Sequence, residues 1–418
     1  MHVRDWLFSL EVIGVKLGLS QIRRLLEALD HPERAYPSIT IAGTNGKGSV
    51  TAMVERGLRA SGRRTGRYTS PHLLQIEERI AVDGAAIAPD VFDRLALEVQ
   101  TAAAALDAPP SFFEATTALA LLAFRDAGVD IAVLEVGLGG RLDATNAVDA
   151  SLVAITAIDL DHQEHLGHTL TAIAAEKAGV IKTGATVIVA PNPADVEAVF
   201  HAHARAQEAT VVGALEGVSC DAVIGARGSR LTLTTPTRAY GECSLRLSGR
   251  HQITNAIVAV RTLEAVPDVP AAAITTALAE VEWPARLEWL RLGTTEVLLD
   301  GAHNPAGAGA LSAFLAEMIS HPVPMVLGVM GDKAVEDIVA ALAPAASHIV
   351  TTAAPSPRAL SPDALAAICR RVAPHVPVEV EPDAARALTT AAAHGAPVVV
   401  AGSLYLAGHV RQALTRRA

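Results

Sequence analysis

Short runs of β-branched and other apolar residues alternate with longer stretches of helical periodicity from residue 39 onward. This alternation is typical of a mostly parallel sheet covered by helices, so the chain is predicted to be an α/β protein. The predicted elements of its first part are strands at 39–42, 131–136, 152–157 and 186–190, and helices at 50–60, 116–127, 171–181 and 196–207.

The pattern changes between residues 211 and 247, where apolar and polar residues alternate one by one, as in Leu231-Thr232-Leu233-Thr234. This period of two predicts antiparallel hairpins that form a small sheet appended to the first domain. Helical and βα patterns then resume around a predicted boundary at Trp283-Pro284-Ala285. The predicted elements are helices at 253–265, 270–281 and 406–415, and strands at 296–299, 325–329, 348–351 and 398–401.

A glycine-rich turn, Gly43-Thr44-Asn45-Gly46-Lys47-Gly48-Ser49, joins the first predicted strand to the first predicted helix. Glycines let backbone N–H groups approach phosphates, and a helix N-terminus adds a positive dipole. Lys47 adds a full charge, and Ser49 can face a metal ion. The match to the standard phosphate loop is partial, since Ile41 occupies the position of its first glycine. The turn predicts a site for a nucleoside triphosphate, and a simple helix cap is the alternative.

The length of 418 residues exceeds the size at which single hydrophobic cores stop growing, so two domains are expected. We predict a P-loop-type domain over 1–284, with a mostly parallel sheet and the small antiparallel sheet. A smaller, Rossmann-like α/β domain is predicted over 285–418.

Composition and charge narrow the function further. Half of the residues are hydrophobic and the formal net charge is −10, which argues against a nucleic-acid partner. The three cysteines form no C-x-x-C motif, which fits a reducing compartment. Residues 1–11 lack the apolar core of a signal peptide, and no uncharged apolar stretch is long enough for a transmembrane helix. We expect a cytoplasmic protein that acts on small molecules without a membrane partner, and a monomer is compatible with the sequence.

Two segments that follow strand ends carry candidate metal ligands. Ser70 lies in Thr69-Ser70-Pro71, which is either a plain turn or a hydroxyl presented to a metal. Glu135 ends an apolar strand, where a carboxylate is costly unless it is paired or bound to a metal. Mg²⁺ beside a nucleotide is the natural cation for this position.

Three histidines at positions 162, 165 and 168 suggest a zinc site. Helical spacing argues against it, because the third ring would point away from the first two. The favoured interpretation is that His162, which follows a predicted strand, ligates a second divalent ion.

Lys177 lies in a largely apolar predicted helix. A solvated helix lysine is the usual explanation. A buried amine would instead be kept neutral by desolvation and could react with CO₂ to form an anionic carbamate.

In the second domain a predicted strand ends at Asp300, and His303 follows in the glycine turn. The carboxylate of Asp300 could face ribose hydroxyls and His303 could face phosphates. A turn with a helix N-cap is the alternative.

Together these segments resemble the folylpolyglutamate synthase and dihydrofolate synthase family, relatives of the Mur ligases, in the right order along nearly the whole chain. The marks of the resemblance are Gly43 to Ser49, Thr69 to Leu73, Ser111 to Glu114, Glu135 to Asn146, Asp161-His162, Glu176 to Gly179, Gly249 to Gln252, Asn255-Ala256, Arg286 to Glu288, and Asp300 to Pro305. Three segments depart from the family pattern: Gln163-Glu164-His165 replaces a threonine- or methionine-led stretch, Ala285 stands where a glycine often precedes the arginine, and Gly331-Asp332-Lys333 is only similar to an alanine-aspartate-lysine run.

The resemblance implies roles position by position. Residues that would hold the ATP phosphates are Gly46, Lys47, Gly48 and Ser49. Ser70 and Glu135 would bind Mg²⁺, His162 would serve a second Mg²⁺, and Lys177 would be the carbamylated lysine of the family. Residues that would hold the nucleotide from the later part of the chain are Asn255, Arg286, Asp300 and His303. Residues that would line the pterin pocket are Ser111, Phe112, Phe113, Glu114, Leu142, Asp143 and Ala144.

The reaction that the resemblance implies is ATP-dependent joining of L-glutamate to dihydropteroate or to folyl-glutamates. The γ-phosphoryl group would pass to the substrate carboxylate, and the glutamate amine would attack the resulting acyl phosphate, with Lys47, His162 and Lys177 as the catalytic residues. A Mur-type ligase acting on a UDP-muramoyl substrate, a P-loop ATPase switch and a zinc hydrolase are the alternatives.

Overall fold

The structure is a computed structural model that describes residues 2–14 and 16–416. These residues form two compact units. The first comprises the described residues up to Asp221, with Thr232–Cys243 and Thr254–Val281. The second comprises Ala222–Leu231, Ser244–Ile253 and the described residues from Glu282 onward.

The first unit is built on an eight-stranded sheet. Its strands are β1 (Ser38–Ala42), β2 (Thr65–Tyr68), β3 (Ile80–Val82), β4 (Ala85–Ala86), β5 (Ile131–Glu135), β6 (Leu152–Ile155), β7 (Thr186–Val189) and β8 (Thr210–Gly213). The spatial order is β4-β3-β2-β5-β1-β6-β7-β8. The strands from β2 to β8 in this order are parallel, and β3 and β4 form an antiparallel extension.

Helices cover this sheet. They are α1 (Val3–Ser9), α2 (Ser20–Ala28), α3 (Lys47–Ala60), α4 (Pro89–Ala103), α5 (Phe112–Ala127), α6 (Gln163–Leu166), α7 (Leu170–Ala178), α8 (Ala194–Ala206), α9 (Arg250–Glu264) and α10 (Ala271–Glu280). Short 3-10 helices lie at Leu10–Ile13, Pro32–Arg34, Ile76–Arg79 and Ala144–Ala147. One apolar core joins α1, α2, α4 and α5 to the sheet, and another joins α7 and α8 to it. β1, β5 and β6 are therefore buried along their whole length, which explains their continuous apolar sequences.

The small antiparallel sheet consists of β9 (Ser219–Gly225), β10 (Gly228–Thr234) and β11 (Ala239–Leu245), in the order β11-β10-β9. Its central strand has the burial alternation that its sequence predicts, with Leu231 and Leu233 buried and the intervening threonine exposed. The prediction of a small antiparallel sheet is confirmed. Its predicted start at residue 211 is wrong, because β8 pairs in parallel with β7 as the last strand of the large sheet.

The second unit contains a six-stranded sheet with strands β12 (Glu288–Leu292), β13 (Thr295–Leu299), β14 (Val323–Leu327), β15 (Ala346–Thr351), β16 (Val378–Val380) and β17 (Val398–Ala401). Its helices are α11 (Pro305–Met318), α12 (Val335–Leu342), α13 (Pro362–Val372), α14 (Ala384–Ala393) and α15 (Leu404–Thr415), with a 3-10 helix at Ala343–Ala345. The strand order is β12-β13-β17-β14-β15-β16, and only β12 in this sheet of described residues is antiparallel.

Neighbouring residues of β13 show that both faces of this second sheet are covered. Leu298 packs in one core with α11, α12 and α13, whereas Val297 and Leu299 pack in another with α14 and α15. Successive strand residues point to opposite faces, so the two cores lie on opposite sides of the sheet. The predicted α/β class is confirmed. The edge strands β12 and β16 were not predicted, and the sheet is mixed.

Within residues 2–14 and 16–416, no helix combines the length and the apolar character that crossing a bilayer would require.

Candidate active site

The turn between β1 and α3 has the backbone of a phosphate-binding loop. Gly46 caps α3 with φ 91°, and Gly43 has φ 138°, a conformation that disfavours residues with a side chain. A Cβ at Gly43 would also collide with the side chain of Thr156. α3 begins at Lys47, three residues before the predicted start at Val50, so the helix N-terminus lies directly at the loop. Backbone N–H groups at such a terminus favour an anion.

This loop is fastened to the segment that follows β6. The amides of Thr44 and Asn45 both donate to the carbonyl of Ala157, at 2.9 and 3.2 Å. The hydroxyl of Thr44 accepts from the amide of Asp159 at 3.1 Å. The ammonium of Lys47 donates to the carbonyl of Thr44 at 3.1 Å, which holds its charge over the loop. A Cβ at Gly46 would collide with the side-chain amide of Asn255, so that predicted nucleotide residue also lies beside the loop.

The predicted metal ligands Ser70 and Glu135 are in contact. The parallel strands β2, β5, β1 and β6 are neighbours, so their carboxyl ends share one edge of the sheet. Ser70 follows β2 and Glu135 ends β5. The amide of Ser70 donates to Oε2 of Glu135 at 3.2 Å. Glu135 is only 5% exposed, and its carboxylate, together with the hydroxyl that Ser70 carries, offers the hard oxygen ligands that Mg²⁺ prefers.

A buried arginine supports this carboxylate from within the sheet. Arg67 on β2 has Nη1 3.7 Å from Oε2 of the buried Glu55. Burial lowers the pKa of the Arg67 guanidinium, while the charges of Glu55 and Glu135 raise it. The guanidinium therefore pairs with Glu55, and its charge also acts on Glu135 and offsets part of the charge of these two buried acids. Arg67 was not predicted, because a single arginine in a short strand has no sequence signal for this role.

Lys177 is buried next to the phosphate loop. It is 4% exposed, and its Nζ donates to the carbonyl of Gly43 at 2.8 Å. The pKa of Lys177 is lowered to about 7, mainly by burial and also by the nearby charge of Lys47, against the opposing effect of Asp161 and Asp143. A substantial share of this amine is therefore neutral near pH 7, and a neutral amine is a nucleophile.

The predicted ligand His162 lies at the start of α6 with φ 50°. Its Nε2 is 3.9 Å from Oδ2 of Asp161, and its side chain is 38% exposed. The charge of Asp161 also raises the pKa of Lys177, so His162 and Lys177 have a charged neighbour in common. His162, His165 and His168, all within the described residues, do not form a group of metal-ligand geometry, which removes support for the zinc alternative.

Aromatic side chains from the start of α5 form an apolar wall near the same strand ends. Phe113 packs on Tyr68 with ring centroids 5.9 Å apart, and its ring fills the space where a Cβ at Gly137 would lie. The Arg79 guanidinium lies 5.1 Å from the centre of the Phe112 ring. A flat heteroaromatic substrate can stack on such a wall. No site role was predicted for Tyr68 or Arg79. His72, which contacts Arg79, lies in the segment Thr69 to Leu73 that carries part of the family resemblance.

Arg79 donates from Nε to Nδ1 of His72 at 3.0 Å. The pKa of His72 is lowered to about 4, mainly by burial and also by the charge of Arg79, while Glu77 raises it. His72 is therefore neutral at physiological pH and accepts this hydrogen bond.

The other residues predicted to line the pterin pocket shape the loops around it. Oε2 of Glu114 accepts from the amide and the hydroxyl of Ser111, both at 2.8 Å, which caps α5. Asp143 accepts from the amide of Leu138 at 2.8 Å and from the amide and hydroxyl of Thr145. Burial raises the pKa of Asp143, and these hydrogen bonds lower it. Ala144 is buried in the core, and Leu142 is partly exposed.

A second group of predicted residues lies in the second unit. Asp300 is buried, and its two oxygens accept from the amides of Leu287 and Ala302 at 2.9 and 2.8 Å. Burial raises the pKa of Asp300, whereas the charge of Arg286 lowers it. A Cβ at Gly301 would collide with the Arg286 guanidinium.

His303 joins this group through its ring. Nδ1 lies 2.7 Å from the carbonyl of Gly301. Arg286, Asp300 and His303 are thus brought together. Ala285, which stands where the family often has glycine, adopts φ 56°, the conformation that explains the preference for glycine. His251 was not assigned a role from the sequence, yet burial and the Arg286 charge lower its pKa to about 4.

The fold and the glycine-rich loop between β1 and α3 are typical of nucleotide-binding α/β proteins. Comparison with known families identifies the family within this class. The Mur ligase middle domain matches residues 41–263, and the glutamate ligase domain of Mur ligases matches residues 285–404. The dihydrofolate synthase/folylpolyglutamate synthase of Mycobacterium tuberculosis is 40% identical over 374 residues, which cover 84% of this chain and 77% of that protein.

Solved structures agree with this match. Mycobacterium tuberculosis folylpolyglutamate synthase complexed with ADP and AMPPCP is 36% identical to this chain. The superposition covers 99% of each chain, with a TM-score of 0.91. Escherichia coli FolC in complex with DHPP and ADP is 27% identical, covering 100% of this chain and 99% of that one, with a TM-score of 0.88. The chain therefore belongs to the dihydrofolate synthase/folylpolyglutamate synthase family of Mur ligases, which confirms the resemblance found in the sequence.

Proposed function

We propose that this chain is an ATP-dependent ligase that joins L-glutamate to dihydropteroate, to folyl-glutamates or to both, in folate metabolism. The observation that carries the proposal is the contact of Ser70 with Glu135 at the strand ends beside the phosphate loop. Relatives named for this activity, and solved relatives complexed with ADP or DHPP, support the same assignment.

The chemical task is to make a carboxylate reactive. A carboxylate is a poor electrophile, so transfer of the γ-phosphoryl group of ATP converts it to an acyl phosphate, and ADP leaves. The amine of glutamate then attacks the acyl carbon, and phosphate departs. Lys47 and the N–H groups of Gly46, Gly48 and Ser49 would hold the phosphates and neutralise charge as it develops.

Two divalent ions fit the oxygen- and nitrogen-bearing side chains at this edge. Ser70 and Glu135 would hold one Mg²⁺, and His162 with a carbamate on Lys177 would hold a second. When bound, Mg²⁺ supplies charge stabilisation for phosphoryl oxygens. The carbamate forms when the neutral Lys177 amine adds to the carbon of CO₂ and releases one proton.

The pterin would stack on the wall formed by Phe112 and Phe113. Ser111, Glu114, Leu142, Asp143 and Ala144 would shape that pocket through the loops that they hold. Arg286, Asp300 and His303 would serve the nucleotide, as the family pattern implies. We further propose 1–284 and 285–418 as the functional domains.

Glu135→Gln is expected to raise the Mg²⁺ concentration for half-maximal turnover at least about tenfold. The amide keeps the shape of the side chain but removes its charge, and even outer-shell partners of a metal affect affinity by 10- to 100-fold. Initial rates across a Mg²⁺ titration measure the change. Glu98→Gln, which neutralises an exposed glutamate on α4, is the matched control. An unchanged Mg²⁺ dependence in Glu135→Gln would contradict the metal assignment.

A substrate panel tests the proposed reaction. The protein is incubated with ATP, Mg²⁺ and L-glutamate together with dihydropteroate, a folyl monoglutamate or a UDP-muramoyl substrate. Phosphate release and product mass are measured. We expect glutamylated product from at least one pterin substrate and none from the UDP-muramoyl substrate. Product from the UDP-muramoyl substrate alone would favour a Mur-type ligase. Phosphate release at the same rate with and without pterin and glutamate would favour an ATPase switch.

A further inference from the structure

One group of side chains in the second unit has metal-ligand geometry and no part in the proposed reaction. Among the described residues, only His348, Glu379 and His394 bring three histidine, cysteine or carboxylate ligand atoms within 4.8 Å of one another. The Nε2 atom of His394 is 2.6 Å from Oε1 of Glu379. The rings of His348 and His394 are nearly parallel, with an interplanar angle of 8° and centroids 3.9 Å apart.

Three separate elements hold these side chains in place. His348 lies on β15, Glu379 on the edge strand β16, and His394 directly follows α14. β16 is fixed to β15 on both sides of Glu379, because the Ile349 amide donates to the Pro377 carbonyl at 2.9 Å and the Glu381 amide to the Thr351 carbonyl at 3.0 Å. Backbone structure, rather than a flexible loop, therefore presents the ligand atoms.

The end of α14 is held equally well. The amide of His394 donates to the carbonyl of Ala391 at 3.0 Å, which completes the last turn of the helix. Leu388 and Ala391 pack in the same core as Val350 of β15. The backbone of His394 is therefore fixed relative to β15, so only its side chain needs to be ordered when an ion binds.

The ligand atoms of the group suit a cation, because Glu379 supplies a carboxylate and each histidine a ring nitrogen. A metal ion satisfies all three groups at once, since it binds neutral imidazoles and an ionised carboxylate. The side chains of Glu379 and His394 are 45% and 28% exposed, which leaves a path for the ion from solvent.

The ligand types indicate which ions fit. Imidazole nitrogen with one carboxylate oxygen suits Zn²⁺, Ni²⁺ and Cu²⁺, whereas Mg²⁺ favours ligand sets made mostly of oxygen. Zn²⁺ binds these donors at about 2.0–2.2 Å, which places tetrahedral donor atoms about 3.4 Å apart. An imidazole nitrogen binds a metal in the plane of its ring, so side-chain rotations that tilt the two stacked rings apart would bring the ligand atoms, which lie within 4.8 Å of one another, to that spacing. Three protein ligands leave a fourth position for water.

We propose that His348, Glu379 and His394 bind one divalent transition-metal ion, with Zn²⁺ as the best-fitting ion, and that this ion ties β16 to the end of α14. Its two imidazoles distinguish this site from the pair of Ser70 and Glu135 that is proposed to hold Mg²⁺ beside the phosphate loop. Its role is to stabilise the edge of the second sheet, so it is independent of the proposed ligase reaction.

Calorimetric titration of the full chain with Zn²⁺, after chelator treatment and in excess Mg²⁺, tests the proposal. We expect one Zn²⁺ per chain and a higher Tm in the Zn²⁺-loaded protein. His394→Ala, His348→Ala and Glu379→Gln should each weaken Zn²⁺ affinity by about 10- to 100-fold or more. His321→Ala and His375→Ala remove exposed histidines of the same unit outside the group and should leave the affinity unchanged.

Cu²⁺ provides a second measurement that does not depend on stability. Electron paramagnetic resonance of the Cu²⁺-loaded protein should show two coordinated imidazole nitrogens, and one after His394→Ala or His348→Ala. Glu379→Gln is nearly isosteric, so it tests the site even where a histidine variant folds poorly. Equal Zn²⁺ affinity in Glu379→Gln and in the unaltered chain would overturn the proposal. Stoichiometric binding that survives all three substitutions would show an adventitious ion only.

Discussion

Lys47→Ala is expected to lower kcat/KM for ATP-dependent glutamylation by about 10²- to 10³-fold or more, because losing one preorganised donor to a developing oxyanion costs this much in other enzymes and Lys47 also carries a full charge. The ammonium of Lys47 lies at the first residue of α3 and is held over the loop by the Thr44 carbonyl. Steady-state rates of phosphate release and product formation measure the change.

The fold should survive this substitution. Lys47 makes its hydrogen bond within the loop, and alanine favours the first turn of α3, so Tm should change little. Arg94→Ala removes a cation from the exposed face of α4 in the same unit and should retain full activity. A Lys47→Ala protein that folds normally and keeps full turnover would refute the phosphate-loop assignment.

The start of α3 illustrates how well the helices and central strands can be predicted. Apolar periodicity places a helix at 50–60, but the structure begins it at Lys47, because Gly46 supplies the left-handed residue that caps the helix. The central strands β1, β5 and β6 are predicted within two residues of their ends. Burial on both faces gives them continuous apolar sequences, and such runs are informative.

Edge strands carry much weaker signals. β16 has three residues, with Glu379 exposed between two partly buried valines. β12 contains Arg291 and pairs antiparallel at the opposite edge. Such strands are defined by the neighbour that they pair with, and one sequence does not contain that information.

In the candidate site, too, the sequence indicates which residues are buried but not which groups they contact. An apolar strand that ends in Glu135 predicts a buried carboxylate, and in the structure this carboxylate is buried and accepts from the amide of Ser70. Asp143 and Asp300 are buried carboxylates too, but their oxygens accept from backbone amides, those of Leu138 for Asp143 and of Leu287 and Ala302 for Asp300. Sequence patterns identify the buried acid, whereas only the folded chain determines its donors.

Residues distant in sequence were missed for the same reason. His348, Glu379 and His394 lie on three elements, two of which meet only because β16 pairs with β15. Arg67 is similarly set beside Glu55 by the packing of α3 on β2. No spacing rule links these positions.

Lys177→Ala is expected to lower kcat at least about 100-fold, with partial recovery on addition of formate or acetate. The pKa of Lys177 is lowered to about 7, so its amine is mostly protonated below pH 7 and mostly neutral above it. Only the neutral amine adds to CO₂, so carbamate occupancy should rise from acidic to neutral pH. In the unaltered protein, activity should fall in CO₂-depleted buffer and return with bicarbonate.

The chemistry of rescue separates a carbamate from an ammonium at this position. A small carboxylate can replace the lost anion in the cavity left by Lys177→Ala, whereas methylamine can replace only a lost cation. Lys182→Ala removes a nearby lysine that donates to the Asn146 carbonyl, and its activity should not respond to formate. Recovery of Lys177→Ala with methylamine but not formate would contradict carbamylation, because the buried group would then act as a positive charge beside Gly43 rather than as a metal-binding anion.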